Sequence, residues 1–183
     1  MVRDAALTLF AERGYHGTAL SQIAAALGIR TPSLYNHMKA KQDLLRDIVS
    51  ETTEQVWADY ERSVGGVQDV VERLRRATRV YALRHATHRR EALIVNRDVA
   101  SLDEPARSRV LELRRRHADA IRDLIDEGVR EGRFTESEPT LAAFGILEMC
   151  VSIARWFRED GSLSAEAVAE TYSRYALQIA GLR

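Results

Sequence analysis

The sequence predicts an all-α protein of about nine helices. Apolar residues recur at spacings of three and four, as on one face of a helix, and no long run alternates apolar and polar with period two. Breakers are sparse: three prolines and ten glycines in 183 residues, gathered at a few places rather than spread along the chain.

The first helix runs from near residue 2 to Glu12, with Leu7, Phe10 and Ala11 on one face, and stops at Gly14, a suitable left-handed terminator. Thr18 is placed to N-cap a second helix that ends near Leu27, before Gly28. A short third helix starts near Thr31, with Pro32 in its first turn, and ends near His37. The fourth starts after Lys41, carries Leu44, Leu45, Ile48 and Val49 on one face, and reaches about Ser63, before Gly65-Gly66. Five more are expected over 67–85, 89–100, 104–131, 138–158 and 164–181, separated by Ser101, Asp103, Pro105, Gly132, Glu138-Pro139 and Gly161.

Residues 18–37 read TALSQIAAALGIRTPSLYNH. Ile23 and Leu27 suit a small core, and Ala24 is small where two helices cross closely. Gly28 permits a tight turn, and Ile29 and Leu34 plug the following helix against the preceding one. That is the residue pattern of a helix-turn-helix. Charge agrees. Formal net charge is zero over the whole chain, so a nucleic-acid signal must be local. Between Glu12 and Asp43 there is no acidic residue, whereas Arg13, Arg30, Lys39, Lys41, His16 and His37 all fall there. In a chain with 30% charged residues, such an interval suits a surface apposed to phosphate.

The stretch LTLFAERGYHGTALSQIAAALGIRTPSLYNHMKAKQDLL resembles the DNA-binding domain of the TetR family of regulators, from about Ala5 to Leu45. The resemblance implies a homodimer on a palindromic operator of double-stranded DNA, released when a small-molecule effector enters the C-terminal domain. It divides the chain into a helix-turn-helix DNA-binding domain over 1–46 and a ligand-binding and dimerisation domain over 47–183. Thr31, Ser33 and Asn36 lie on the exposed face of the recognition helix, with Arg30 at its entry, and are the base-edge candidates. Tyr35 and His37 match family positions that meet phosphates, and Lys41 matches a lysine used on the DNA backbone. Thr18 could meet a phosphate through its hydroxyl and adjacent amides. Lys39 completes the set. Only Met1, Val2 and Arg3 precede Asp4, so the basic arm that family members commonly carry there is either absent or trimmed.

Beyond the motif, LAAFGILEMCVSIARWF (141–157) is apolar almost all round, as in a helix covered on both sides. Leu141 and Glu148 from this segment, with Val168, Tyr172, Tyr175 and Ile179 from the last helix, form the expected four-helix dimer interface. Ala165, Ala169, Ala176 and Ala180 make a small-residue stripe that allows close helix approach. Effector-lining candidates are Val80, Leu83, Leu93, Val110, Leu113, Ile121, Phe144, Leu147, Val151, Arg155 and Trp156. LRRRHADAIRDLIDEGVREGRF and ARWFREDGSLS resemble the C-terminal domain of a TetR sub-branch that regulates fatty-acid and sterol-ring catabolism. Some of its members respond to acyl-CoA thioesters. Arg114, Arg115, Arg116, Arg155 and Arg158 could meet the phosphates of such a ligand.

No enzyme class emerges. There is no GxSxG, phosphate loop or dinucleotide fingerprint. His85 and His88 lack a third ligand at metal spacing, so neither metal nor cofactor is expected. Cys150, the single cysteine, lies in the most apolar segment and should be inert. One cysteine, no signal-peptide pattern and no membrane-length apolar run lead to the expectation of a cytoplasmic protein. The rival classes are a DNA-binding dimer without effector and a helical enzyme with unrecognised catalytic residues.

Overall fold

The computed structural model describes every residue, Met1–Arg183, as an all-helical chain without strands. Its elements are α1 (Val2–Arg13), α2 (Leu20–Ala26), α3 (Thr31–Leu34), α4 (Lys41–Val64), α5 (Val70–Thr87), α6 (Arg89–Asp98), a 3-10 turn (Val99–Ser101), α7 (Ala106–Arg130), α8 (Pro139–Trp156) and α9 (Ala165–Ile179). Class and helix number follow the sequence expectation. No helix is long and apolar enough to cross a membrane.

The chain divides into two compact units, Met1–Glu54 with Arg90–Leu111, and Gln55–Arg89 with Glu112–Arg183. These differ from the expected cut at 46/47, because Ile94, Val99, Leu102 and Val110 are buried in one core with residues of α1, α2 and α4. Residues far along the chain are thus drawn to the first unit by apolar burial that sequence proximity does not reveal.

In the first unit, α1 stops at Gly14, whose φ of 81° and ψ of 160° lie in the mirror-extended rather than the left-handed helical region expected. An L side chain is strained there. Gly28 does take the expected left-handed role, with φ +67°. Its N–H reaches Ala25 O at 3.1 Å and the Ile29 N–H reaches Ala24 O at 3.0 Å, the paired bonds of a Schellman closure on α2.

In the second unit, α5, α8 and α9 bury Leu74, Tyr81, Ile146, Ile153 and Ala169 against Ile121, Leu124 and Ile125 of α7. Ala169, Ala176 and Ala180 are fully buried in this core, so much of the small-residue stripe serves packing within the chain. Phe134 folds back over Gly128 inside α7. A Cβ at position 128 would sit 2.1 Å from the Phe134 ring. On α5, Arg75 and Arg76 both donate to Glu72, and Arg75 reaches Glu170 of α9. The two guanidinium groups bring the Glu72 carboxyl from 4.5 down to about 2.

Gly128→Ala is expected to cost about 1–3 kcal/mol through overpacking against Phe134, read as a lower urea midpoint at unchanged slope. For Glu72, the folded pKa lies below the unfolded one, so its stabilisation is complete above about 4.5 and is lost as pH falls toward about 2. Glu72→Gln should therefore lower the urea midpoint at pH 7, with the deficit shrinking at pH 3.

Candidate nucleic-acid interface and effector surfaces

The recognition element is shorter than expected. Regular α3 covers four residues, Thr31–Leu34, after which Tyr35, Asn36 and His37 close back on Pro32, Ser33 and Leu34 in successive three-residue turns. Four residues cannot hold a helix in water. Leu34, fully buried with Ile23 and Ala24, anchors it from behind. With that side inward, Arg30, Ser33, Tyr35, Asn36 and His37 are exposed, Tyr35 at 56%, and Thr31 is half-buried. The structure thus presents together the residues that the sequence nominated for this face. Lys39 is also exposed.

Two nominated residues are placed otherwise. Thr18 is not the cap of α2. Ala19 holds that position, and its N–H donates to the Gln22 carboxamide at 2.8 Å. The Thr18 side chain is 1% exposed, and its hydroxyl donates to Leu9 O at 3.1 Å and Gly14 O at 2.9 Å. Tertiary acceptors outbid the capping position, so the hydroxyl is turned away from solvent and from any phosphate. Lys41 is drawn inward too. Its ammonium donates to Tyr15 O and Thr18 O, both at 2.8 Å, and lies 4.1 Å from the Tyr15 ring centroid. Partial burial pushes its pKa down. The lysine ties the α1–α2 loop to the start of α4, with two donors committed inside the protein.

Around this tie, sequence reading missed a set of polar contacts. Tyr15 Oη donates to Gln42 Oε1 at 2.6 Å, Gln42 Nε2 donates to Ser101 O at 2.9 Å, and Ser101 Oγ is 2.9 Å from His16 Nε2. Arg97 reaches the α1 carbonyls of Phe10 and Ala11 while pairing with the buried Asp98. Apart from the adjacent Arg97 and Asp98, these partners lie 27 to 87 residues apart, so periodicity carries no sign of them.

The chain matches the family model described as "Bacterial regulatory proteins, tetR family" over residues 2–48, and "Tetracyclin repressor-like, C-terminal domain" over residues 67–180. The chain belongs to the TetR family. As a TetR-family chain it is a DNA-binding transcriptional regulator, as the helix-turn-helix resemblance implied. It is 31% identical over 174 residues to the HTH-type transcriptional repressor KstR2 of Rhodococcus jostii, covering 92% of this chain and 84% of that protein. A tetR-family regulatory protein from Rhodococcus RHA1 superposes with a TM-score of 0.90 at 26% identity, covering 100% of this chain and 96% of that one. AibR, solved in complex with isovaleryl coenzyme A and operator DNA, superposes with a TM-score of 0.84 at 27% identity, covering 95% of each chain.

The effector-lining candidates of this TetR-family chain differ in burial. Ile121 is fully buried in the α5–α8–α9 core. Phe144 is 52% and Trp156 42% exposed, on the outside of α8, where the Trp156 ring lies 6.3 Å from that of Tyr172. Leu147 is half-buried against the core, and Val151 and Leu113 are half-buried. Val110, buried, and Leu93, half-buried, belong to the first unit. Val80 and Leu83 share a concavity, a groove of about 430 Å³ completed by Asp59, Arg62 and Ser63 of α4 and by Arg84, Thr87 and His88 of α5.

Among the interface candidates, Val168 is 3% exposed inside the chain's own core, and Ile179 is half-buried against it, so Val168 has no surface to offer a partner. Leu141 and Tyr175 are exposed and Tyr172 is half-buried. Glu148, also exposed, acts electrostatically on Arg114 of α7 in its own chain, offsetting part of the burial that pushes the Arg114 pKa down. Arg116 lies over the Trp57 ring, 4.1 Å from its centroid. Arg115, Arg155 and Arg158 are exposed. Burial drives the Cys150 thiol pKa far up, so no reactive thiolate forms there.

Thr18→Val strands two carbonyls from their donor and should destabilise the chain by about 1–3 kcal/mol, measured by urea unfolding. At temperatures where the variant stays folded, affinity for duplex DNA should be unchanged. A loss of DNA affinity with stability intact would instead place the hydroxyl on a phosphate.

Proposed function

We propose that the chain is a homodimeric repressor that binds a palindromic operator and is released by an acyl-CoA thioester. Residues 1–46 carry DNA binding, and residues 47–183 carry dimerisation and sensing. The observation that carries the DNA-binding part is the exposed recognition face. Ser33, Tyr35, Asn36 and His37 stand out from a buried Leu34, within a stretch free of carboxylates from Arg13 to Gln42. Short polar side chains there suit base edges in the major groove, and Tyr35, His37, Arg30 and Lys39 suit phosphates. Lys41 contributes chiefly by holding the α1–α2 loop.

Dimerisation is supported by the outer side of α8 and α9. Leu141 at 66%, Phe144, Trp156 and Tyr175 at 47% expose a large aromatic and aliphatic surface on helices whose other faces are buried. An apolar surface of that kind marks a protein interface, and a two-fold axis would pair α8 and α9 with their copies. Glu148 sits beside it, balanced by Arg114.

The effector class is supported by the CoA-bound AibR neighbour, and the repressor reading by the KstR2 relative. The exposed Arg115, Arg155 and Arg158 offer guanidinium groups to phosphates.

The test starts from duplexes that the protein enriches from a random-sequence library. The enriched sites should contain two inverted half-sites about one helical turn apart. Isovaleryl-CoA should lower affinity for them by about 5–150-fold, the range of ordinary allosteric coupling, while free CoA should not. Enrichment without release by this or longer acyl-CoAs would leave a DNA-binding dimer that takes no such effector. Failure to enrich any inverted repeat would overturn the operator reading itself.

A further inference from the structure

Seen along α5, the residues that enter the core are Leu74, Ala77, Thr78 and Tyr81, whereas Val80, Arg84 and Thr87 fall on another face. On α4, Tyr60 enters the core while Asp59 and Arg62 point to the same side as that second face. The groove between them therefore opens outward. Its volume of about 430 Å³ lies within the range of small-molecule sites.

Its chemistry is two-sided. Val80 and Leu83, both half-buried, provide an aliphatic lining. The Arg62 and Arg84 guanidinium groups share one carboxylate, Asp59: Arg62 Nη2 contacts Oδ1, and Arg84 Nη1 lies 3.2 Å from Oδ2. Arg84 Nη2 also donates to Gln55 Oε1 at 3.2 Å. Two positive charges against one negative leave a net positive wall. Each guanidinium carries five N–H groups in a planar fork, so donors remain for a second carboxylate. Arg84 is held deep, with its side chain 16% exposed, and Arg62 stands at the rim, 70% exposed. The cations thus span the groove from floor to mouth, beside the aliphatic lining.

We propose that the groove between α4 and α5 binds a small organic carboxylate with a short aliphatic body. The carboxylate would engage Arg62 and Arg84, alongside Asp59, and the aliphatic part would cover Val80 and Leu83. A neutral molecule of the same shape gains only the apolar contact. A dianion would be repelled by Asp59. This site is independent of the acyl-CoA reading, since it requires neither CoA nor DNA.

Octanoate is the probe. In methyl-labelled full-length protein at pH 7, the Val80 and Leu83 methyl resonances should shift saturably, with a dissociation constant of about 1 mM, the affinity of roughly 4 kcal/mol that a carboxylate on two guanidinium groups shared with Asp59 and a short chain can supply. Octanol at equal concentration should leave them nearly unmoved. Arg62→Glu, at an exposed position, should weaken octanoate binding at least about tenfold by reversing the charge at the mouth, with methyl resonances elsewhere unchanged. Absence of the Val80 and Leu83 shifts up to about 10 mM octanoate, tenfold above the expected constant, would overturn the site. Equal shifts with octanol, or full octanoate affinity in Arg62→Glu, would overturn the role of the cations and with it the proposal.

Discussion

The first unit depends on the anchoring of a helix too short to exist alone. Four residues of α3 supply almost no internal hydrogen bonding, and helix nucleation alone is unfavourable. What fixes Thr31–His37 is the insertion of Leu34 and Met38 into a core made by Ile23, Phe10, Leu44 and Leu45. The Schellman closure at Gly28 sets the direction in which the chain leaves α2, so Leu34 meets that core at the right register. Exposure of Ser33, Asn36 and His37 is the geometric consequence of burying Leu34, because a helix cannot turn one face inward without turning the other outward. The exposed polar face and the packing behind it are specified by the same few residues.

The frame behind that helix is polar as well as apolar. A buried hydroxyl or ammonium is costly unless its hydrogen bonds are made, and Thr18 and Lys41 make theirs to carbonyls of the α1–α2 segment. These contacts are directional, so they fix the position of a loop that hydrophobic burial alone would leave loose. Gln42, Ser101 and His16 continue the set to the 3-10 turn. Residues 97–101 are therefore fastened to α1 and α4 by named bonds, which explains why they fold with the first unit rather than with the second.

The fold and family were largely legible in the sequence, the sites only partly. Helix positions could be read because Gly28, Pro32, Gly65-Gly66 and Pro139 punctuate a three-four apolar period. The exposed recognition face could be read because Leu34 is the one large apolar residue in its short helix. Thr18 misled, since a threonine before a helix satisfies the capping rule locally, while Leu9 O and Gly14 O were available only in three dimensions. The apolar residues of α8 misled for another reason. A helix that is apolar on most of its surface shows which residues are apolar but not which side meets the core. Phe144 and Trp156 went outward while Ile146 and Ile153 went inward, and only tertiary packing distinguishes them. The cations of the α4–α5 groove left no signal, because Arg62 and Arg84 are ordinary members of an arginine-rich chain until the fold places both on Asp59.

That arginine richness also explains how a chain of zero net charge can face DNA. In the second unit most charge is consumed locally. Arg73 pairs with Glu127, Arg75 and Arg76 with Glu72, Arg122 with Asp119 and Asp123, and Arg133 with Asp69. Paired charges a few ångströms apart largely cancel at distances beyond the Debye length of about 8 Å. The segment from Arg13 to Gln42 contains no carboxylate to cancel its cations, and the nearest acid after it, Asp43, is engaged by Arg46 and by the Ala40 N–H. An approaching polyanion meets in this interval cations that no carboxylate of the same stretch offsets. Whole-chain neutrality and a locally cationic stretch are compatible because ion pairing is short-ranged and the segment that presents α3 holds no carboxylate.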